Sequence, residues 1–553
     1  MDNIRVFLWL TLLAMGWLTY TAWNADYGAA PRPGAVDTGP ATPQIGAPTG
    51  DVPTLNPGSD AVAQPPVVTA QPTVATGDLI SVQTDVLDVR IASQGGDMVR
   101  ADLLQYSVHK DMPEPVVRLL SDTGPERWVF ETGVTSAVGG PEPNHLATFR
   151  SASNEYTLAP GQDELVVTLD WVGEGPISAR KTYTFRRGRY DVGLTLTVTQ
   201  NSGGSWRGAP YVQMERVHVP VERSYLSVDS YSFKGPVLYN GDSFERIDFE
   251  DLARPPMPQT VRGGWFAAIQ HHFLAAAVPP SGDEYRFGVA ARGSAFELTA
   301  LGPVTDVNAA MPLNAAFTLF VGPKLQEQLQ SVGGDLERTV DYGITTPLAQ
   351  PLFYVLDWVH GWVGNWGFAI IIVTIMIKLV FYKLTAMSGR SMAKMRKITP
   401  RMKALQERYK DDREGLSKAM MELYKKEKVN PAAGCLPILI QMPFFFAFYW
   451  MLVESVEMRQ APFALWIQDL SARDPFYVLP ALMAAAMFFQ TRMSPAPPDP
   501  VQARMMQIMP LVFAGLLIFF PAGLVLYQLT NTTLSILQQW RINTIVARES
   551  AAT

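Results

Sequence analysis

A lysine inside a long apolar segment is the residue with the clearest chemical potential in this sequence. Lys378 lies within Trp366–Leu384, and a bilayer crossing needs roughly 20 mostly apolar residues. A charge near the centre of such a span costs about 2.5–3.5 kcal/mol on insertion scales, so protein or water must solvate it. Snorkelling toward the cytoplasmic end, roughly 9 Å away, is the alternative explanation.

Further polar side chains occur in the apolar segments. Thr374 precedes Lys378 by four residues and therefore shares its helix face. Each such residue could simply form a hydrogen bond between helices, usually worth about 0.6 kcal/mol. Together with a lysine that has no obvious acidic partner, they predict a wet groove that attracts acidic groups. The other polar residues of this set are Gln441, Gln528, Thr530, Asn531 and Thr532.

Residues suited to covalent or metal chemistry are sparse. Cys435 is the single cysteine, so no intrachain disulfide can form, and it is expected to be a small buried hydrophobic residue. His271 and His272 are adjacent in a β-rich region, where neighbouring side chains face opposite sides and would not chelate one metal. We therefore expect no enzymatic activity, no cofactor and no metal site.

Composition indicates a chain that is only partly membrane-embedded. It has 553 residues, which is too long for one core, and 48% of them are apolar. A mean hydropathy of +0.06 suits neither a purely soluble protein nor a wholly embedded one. The fold expected is therefore mixed, with a polytopic α-helical membrane domain and a separate β domain.

Apolar tracts predict six membrane-spanning helices with both termini in the cytoplasm. The first is an anchor at residues 1–23, for which a cleaved signal peptide is the alternative. Five more form a core at residues 365–548. The last tract is too long for one crossing and breaks at Pro521, which divides it into two spans. The tracts after Trp366–Leu384 are Pro431–Glu454, Phe476–Thr491 and Met509–Trp540.

The region between the first two spans has a different organisation. Residues 24–76 are rich in Pro, Gly, Ala and Thr, which is typical of a disordered linker. Alternating apolar residues predict a large β-sandwich at residues 77–323, with hairpin turns at Arg187–Arg189 and Asn240-Gly241. Residues 324–364 connect it to the core and include an amphipathic helix expected to lie on the outer leaflet, or to extend the next span.

A basic segment at residues 388–429 predicts a cytoplasmic helical hairpin. Thirteen basic and six acidic residues lie between Arg390 and Asn430, a bias that marks cytoplasmic loops. Its charged face is either merely solvated or contacts anionic lipid, ribosomal RNA or a partner through Lys394, Arg396, Lys397 and Arg401. An apolar seam should join its helices, formed by Met395, Ile398, Met402, Leu405, Tyr409, Leu416, Met420 and Leu423.

Several long motifs resemble those of the YidC membrane protein insertases of Gram-negative bacterial inner membranes. They occur in the family's order, and the similarity covers nearly the whole chain. The β-sandwich region resembles the family's periplasmic β-supersandwich more loosely. The motifs are SMAKMR from Ser391, EKVNPAAGCLPILIQMP from Glu427, RQAPFALWIQDLSARDP from Arg459 and FPAGLVLY from Phe520.

The resemblance implies a groove open to the cytoplasm and to lipid, with one arginine whose position aligns with Lys378. Lysine keeps the charge but loses the bidentate fork of arginine. Thr374, Tyr527 and Gln528 match substrate-contacting positions, although Gln528 replaces an aromatic residue. Lys383 stands where proline is expected, so the end of that span should be straighter.

The function expected is that of an insertase and chaperone for integral membrane proteins, acting alone or with the Sec translocon. Nascent membrane proteins, the ribosome and anionic lipids are the other expected partners, and DNA is not one. A secondary transporter is the alternative, but it would show inverted repeats and paired ionisable residues at the midplane, and neither is seen. An envelope enzyme built on the β domain would need a convergent catalytic set that the sequence does not reveal.

Overall fold

The computed structural model describes residue 53 and residues 79–551, apart from 110–111, 113, 138, 140–141, 174, 221–231, 254–257, 410–411, 428, 430–435 and 494–499. The anchor expected at residues 1–23, nearly all of the linker expected at 24–76, and Cys435 lie outside the described residues.

The described part of the chain begins with a β domain, the name used here for the twenty strands between Leu79 and Pro323. The strands are β1 Leu79–Gln83, β2 Leu87–Ala92, β3 Met98–Ser107, β4 Val116–Leu120, β5 Trp128–Ser136, β6 Phe149–Ser151, β7 Glu155–Thr157, β8 Glu164–Trp171, β9 Ile177–Arg186, β10 Asp191–Gln200, β11 Trp206–Val217, β12 Lys234–Tyr239, β13 Phe244–Arg246, β14 Gln259–Arg262, β15 Trp265–Gln270, β16 Phe273–Val278, β17 Glu284–Arg292, β18 Ala295–Leu301, β19 Thr305–Val307 and β20 Leu313–Pro323.

Helices follow the β domain. They are α1 Gln326–Val332, α2 Thr346–Val363, α3 Trp366–Val380, α4 Tyr382–Arg408, α5 Arg413–Lys426, α6 Leu436–Glu454, α7 Val478–Met493, α8 Pro500–Leu517 and α9 Ala522–Ala551.

The β domain is built from three sheets. Their strand orders are β4-β3-β2-β1-β7, β13-β12-β15-β16-β20-β10-β9-β8-β6 and β14-β17-β18-β11-β19, with β5 also paired to β11. Both predicted hairpins are confirmed: β9 pairs with β10 around Gly188, and β12 pairs with β13 around Gly241. Each turn glycine has a positive φ, +68° and +87°, which a residue with a side chain adopts only with strain.

A buried ion pair joins all three sheets. Lys181 on β9 is completely buried, and its Nζ lies 2.7 Å from Oδ1 of Asp97, which immediately precedes β3. The same ammonium donates to the hydroxyl of Thr132 on β5 at 2.6 Å and to its carbonyl at 2.9 Å. Because a buried charge is costly unless it is paired and hydrogen-bonded, this set of contacts fixes how the sheets meet.

Two predictions about local geometry are wrong. His271 and His272 do not face opposite sides: they form the turn between β15 and β16, where strand alternation does not apply, and His271 has a φ of +48°. The span Trp366–Leu384 is not straight, because α3 ends at Val380 and α4 departs at 70°. Lys378 therefore lies in the last turn of α3 rather than near the centre of a span.

The bend occurs without proline. Phe381 leaves the helical region of backbone space, with a φ of −90° and a ψ of 7°. Its ring packs edge-on against Phe444 of α6, with 5.5 Å between ring centroids. A tertiary contact thus accompanies the bend.

The outer surfaces of the helices are strongly apolar. Within the described residues no individual helix has both the length and the composition for a full crossing, whereas the bent pair α3–α4 meets that requirement jointly. In α2, Leu352, Leu356 and Val359 are buried as their spacing predicts. More than half of the side-chain surface is nevertheless exposed at Trp358, Trp362, Val380, Phe489, Val512, Leu516 and Trp540.

Helices α4 and α5 form the predicted hairpin, but its buried centre lies near the base. Ile398 and Met402 pack with Val429 in one buried cluster. Leu405 is half-buried and lies outside that cluster. On another face of α4, Ala393 packs against Ile542 and Val546 of α9, so the hairpin is also fixed to the last helix.

Replacing Lys181 by Met should lower the free energy of unfolding of the β domain by about 3–5 kcal/mol, because Asp97 would keep a buried charge without its partner. Urea unfolding of the purified protein in detergent, with hydrogen exchange to locate the affected strands, measures this. Arg180→Met is the matched control: Arg180 is a neighbouring exposed residue paired with exposed Asp170, so its loss should leave the unfolding midpoint unchanged. Equal midpoints for both variants would contradict the role given to Lys181.

Met402→Ala should loosen the hairpin by about 2 kcal/mol, the low end for truncating a buried apolar side chain. Amide hydrogen exchange across residues 391–426 should then be faster. Leu405→Ala removes a half-buried side chain and should have a smaller effect. If the two variants exchange alike, the buried centre of the hairpin has been placed wrongly.

Candidate functional site

Helix α9 carries a stripe of polar side chains, Gln528, Ser535, Gln538 and Gln539, here called the α9 stripe. The residues recur at helical spacing and so lie along one side of the helix. Each bonds to a different part of the chain, so the stripe connects α9 to α3, α4 and α6.

Lys378 is anchored to this stripe. Its Nζ donates to Oγ of Ser535 at 2.7 Å, and Ser535 in turn donates to the carbonyl oxygen of Asn531 at 2.8 Å. The lysine is half-buried, and in the described part of the chain no carboxylate lies close enough to interact with it. The site therefore holds a cation that is solvated by a hydroxyl and not neutralised.

The amides of Gln441 and Gln528 meet between α6 and α9. Nε2 of Gln441 donates to Oε1 of Gln528 at 3.2 Å, and both side chains are half-buried. These two predicted residues are therefore brought together, and each amide keeps further hydrogen-bonding capacity.

Three other predicted groove residues are buried and packed. Thr374 is 1% exposed, and its hydroxyl donates to the carbonyl oxygen of Ile370 within the same helix. Tyr527 is stacked on Phe448 of α6, with ring centroids 4.3 Å apart. Asn531 is 4% exposed. These three residues shape the wall of the site in this conformation and expose little surface to a ligand.

The α9 stripe continues toward the α4–α5 hairpin. Nε2 of Gln538 donates to the hydroxyl of Thr385 at 2.8 Å, and Nε2 of Gln539 donates to the carbonyl oxygen of Gly389 at 3.4 Å. Sequence reasoning missed Ser535 and Gln538, because the last span was expected to end at Trp540 and polar residues near its end drew no notice. Ser535 lies seven residues after Gln528 and Gln538 lies three residues after Ser535, and this helical spacing was the available signal.

The four basic hairpin residues differ in their availability. Lys394 and Arg396 are exposed on α4. Lys397 donates to the carbonyl oxygen of Val546 at 3.2 Å, and Arg401 pairs with Glu427 on the other side of the hairpin. The charges best placed to meet a partner are therefore those of Lys394 and Arg396.

Taken together, these contacts provide a positive charge and several amide and hydroxyl groups among apolar helices. Such groups can attract an acidic segment and solvate a polar stretch of polypeptide that would otherwise meet hydrocarbon. This is chemistry of binding and solvation, achieved by hydrogen bonds and charge.

Comparisons with known proteins place the chain in a family. The profile of the 60Kd inner membrane protein family matches residues 358–549, and that of the YidC periplasmic domain matches residues 79–355. A "Membrane protein insertase YidC" from Thioalkalivibrio sulfidiphilus is 46% identical over 554 residues, covering 98% of each chain. One from Methylococcus capsulatus is 43% identical and covers 100% of both chains.

A crystal structure of an active YidC insertase aligns with 84% of this chain and 92% of its own, at 18% identity and a TM-score of 0.38, a similarity too low to bear on the assignment. The two profiles and the full-length relatives agree with each other and with the motifs. The chain belongs to the YidC membrane protein insertase family, whose members are bacterial inner-membrane proteins with a periplasmic domain.

Proposed function

We propose that this protein is a membrane protein insertase and chaperone that solvates the polar parts of nascent membrane proteins within the bilayer. The observation that carries the proposal is the half-buried, unneutralised Lys378 bonded to the α9 stripe. Similarity to full-length relatives named as insertases supports it. The incoming chain would place an acidic, translocated segment near Lys378 while its apolar helix moves into lipid.

The attraction between Lys378 and an acidic group is strong enough for this role. Two opposite unit charges 4 Å apart attract by about 4 kcal/mol at an effective dielectric constant of 20. Even a screened fraction of that energy lowers the barrier for moving a carboxylate into the membrane. The groups of the α9 stripe would offset part of the cost of bringing unpaired backbone amides into hydrocarbon.

The topology proposed has six spans, both termini in the cytoplasm and the β domain in the periplasm. The exposed apolar side chains of α7, α8 and α9 would then face lipid. Helix α2 would lie at the outer leaflet with exposed Trp358 and Trp362 at the interface, since tryptophan is enriched there.

Partners follow from this topology. The hairpin would meet anionic lipid headgroups or the ribosome through Lys394 and Arg396. The Sec translocon is a further partner, proposed from the family to which the chain belongs. A secondary transporter remains the alternative function. It is disfavoured because transporters pair ionisable groups near the midplane, and among the described residues Lys378 has no such partner.

Lys378→Ala should reduce insertion of clients whose translocated segment carries Asp or Glu by roughly tenfold, equivalent to about 1.4 kcal/mol in the barrier. Lys378→Arg should retain activity, since it keeps the charge. Reconstituted proteoliposomes and protease protection of a radiolabelled client measure the rate.

Lys383→Ala is the matched control, because that lysine is exposed on α4 beyond the bend. A client without acidic residues should be affected much less by Lys378→Ala. If Lys378→Ala inserts acidic clients at the wild-type rate, the electrostatic role proposed for Lys378 is wrong.

Reversing both Lys394 and Arg396 to Glu should weaken binding to vesicles containing anionic lipid by at least tenfold, because each basic residue near such a surface contributes about 1 kcal/mol. Vesicle co-sedimentation at several salt concentrations is the measurement. Lys418→Glu alters charge on α5, where Lys418 already pairs with Glu414, and should matter less. Unchanged vesicle binding with weakened ribosome binding would reassign this face to the ribosome.

A further inference from the structure

The outer end of α6 is capped by the β domain. The last carbonyls of a helix have no partner within the helix and need one from elsewhere. The carbonyl oxygen of Val453, one residue before the end of α6, lies 3.0 Å from Nε2 of His271 and 2.9 Å from Nε2 of His272. The two rings stack with centroids 3.7 Å apart. The turn between β15 and β16 thus supplies the cap.

The direction of these bonds is fixed by chemistry. A carbonyl oxygen can only accept, so each imidazole must carry a proton on Nε2. Burial lowers the pKa of His272 well below its ordinary value, so its ring is neutral at pH 7 and Nδ1 carries no proton. Donors at a helix C-terminus also complement the negative end of the helix dipole.

A buried ion pair lies beside this cap. Glu454, the last residue of α6, accepts from Nζ of Lys324 at 3.1 Å and from the hydroxyl of Ser232 at 3.1 Å. The two charged side chains are only 2% and 9% exposed. Lys324 directly follows β20, so it is held rigidly by the β domain. We call His271, His272, Ser232, Lys324 and Glu454 the outer clamp.

The segment after α6 is held by the β domain as well. Arg459 and Gln460 donate to the carbonyl oxygen of Ser107, the last residue of β3, at 2.7 and 3.2 Å. Contacts from β3, from the β15–β16 turn and from the residue after β20 therefore converge on the outer end of one helix. A loosely tethered domain would not make contacts from three separate parts of its fold to one helix end.

Helix α6 also carries site residues. Gln441, which meets Gln528, lies twelve residues from Val453, or about 18 Å along the helix. Phe448, which stacks on Tyr527, lies between them. Pro443 is the only proline of the helix between these residues, so the stretch from Phe448 to Val453 is uninterrupted helix. Fixing the outer end of α6 therefore fixes where Phe448 meets Tyr527, and it orients the helix that carries Gln441 beyond Pro443.

We propose that the outer clamp positions α6, so that the β domain sets the geometry of the intramembrane site through His271, His272 and Lys324. These are positioning residues, which act through α6 and do not contact the client. The role in insertion rests on the function proposed above, whereas the clamping of α6 can be tested separately.

The test uses the full chain in lipid nanodiscs. Lys324→Met removes the charge and leaves Glu454 buried, so amide hydrogen exchange in residues 445–454 should become at least tenfold faster. Exchange in β9 and β10 should not change. In proteoliposomes, client insertion should fall several-fold. Lys324→Arg keeps the charge and should retain wild-type exchange of α6 and wild-type insertion. Arg207→Met removes an exposed ion pair elsewhere in the β domain and should change neither the exchange of α6 nor insertion.

A charge exchange tests the same ion pair if Lys324→Met folds poorly. The charge exchange Lys324→Glu with Glu454→Lys keeps opposite charges together and should recover most of the protection of α6 that Glu454→Lys alone loses. Wild-type exchange of α6 in Lys324→Met would overturn the clamp. Faster exchange of α6 with unchanged insertion would overturn its positioning role. Absence of insertion by the wild-type protein would instead count against the proposed function and leave the exchange result standing.

Discussion

A polar group placed among apolar helices must find a partner there, and in this protein α9 supplies the partners. Ser535 accepts from Lys378 on α3, Gln528 accepts from Gln441 on α6, and Gln538 bonds Thr385 on α4. Because hydrocarbon offers these groups no hydrogen bonds, their pairing contributes to how the helices are arranged. The same pairs form the proposed site, so the arrangement that stabilises the bundle also creates its polar interior.

The bend after α3 decides where Lys378 lies along its helix and relative to the α4–α5 hairpin. A lysine in the middle of a straight span would need a groove reaching deep into the bilayer. With α3 ending at Val380 and α4 departing at 70°, Lys378 lies near the turn that leads into the α4–α5 hairpin. The bond from the Lys378 ammonium to Ser535 holds this side chain against α9.

Buried ion pairs serve two levels of the structure. Lys181 and Asp97 fix the sheets of the β domain relative to one another, and Lys324 and Glu454 join that domain to α6. Each pair is completed by a hydroxyl, from Thr132 in the first and from Ser232 in the second. Such pairs tolerate little displacement, since separating the charges leaves both desolvated. Under the positioning role proposed above, the β domain acts on the site through α6.

The sequence by itself determined the features that depend on near neighbours. The alternation of apolar and polar residues predicted the β9–β10 hairpin, and Asn240-Gly241 predicted the β12–β13 turn. Helical spacing identified Met402 in the apolar seam of the α4–α5 hairpin. Only the tertiary structure decided which residues far apart in the sequence form contacts. Ser535 lies 157 residues from Lys378, and His271 lies 182 residues from Val453, so neither pairing has a local signal. Periodicity reports which face of an element is apolar, whereas the partner of a polar atom depends on how distant elements pack.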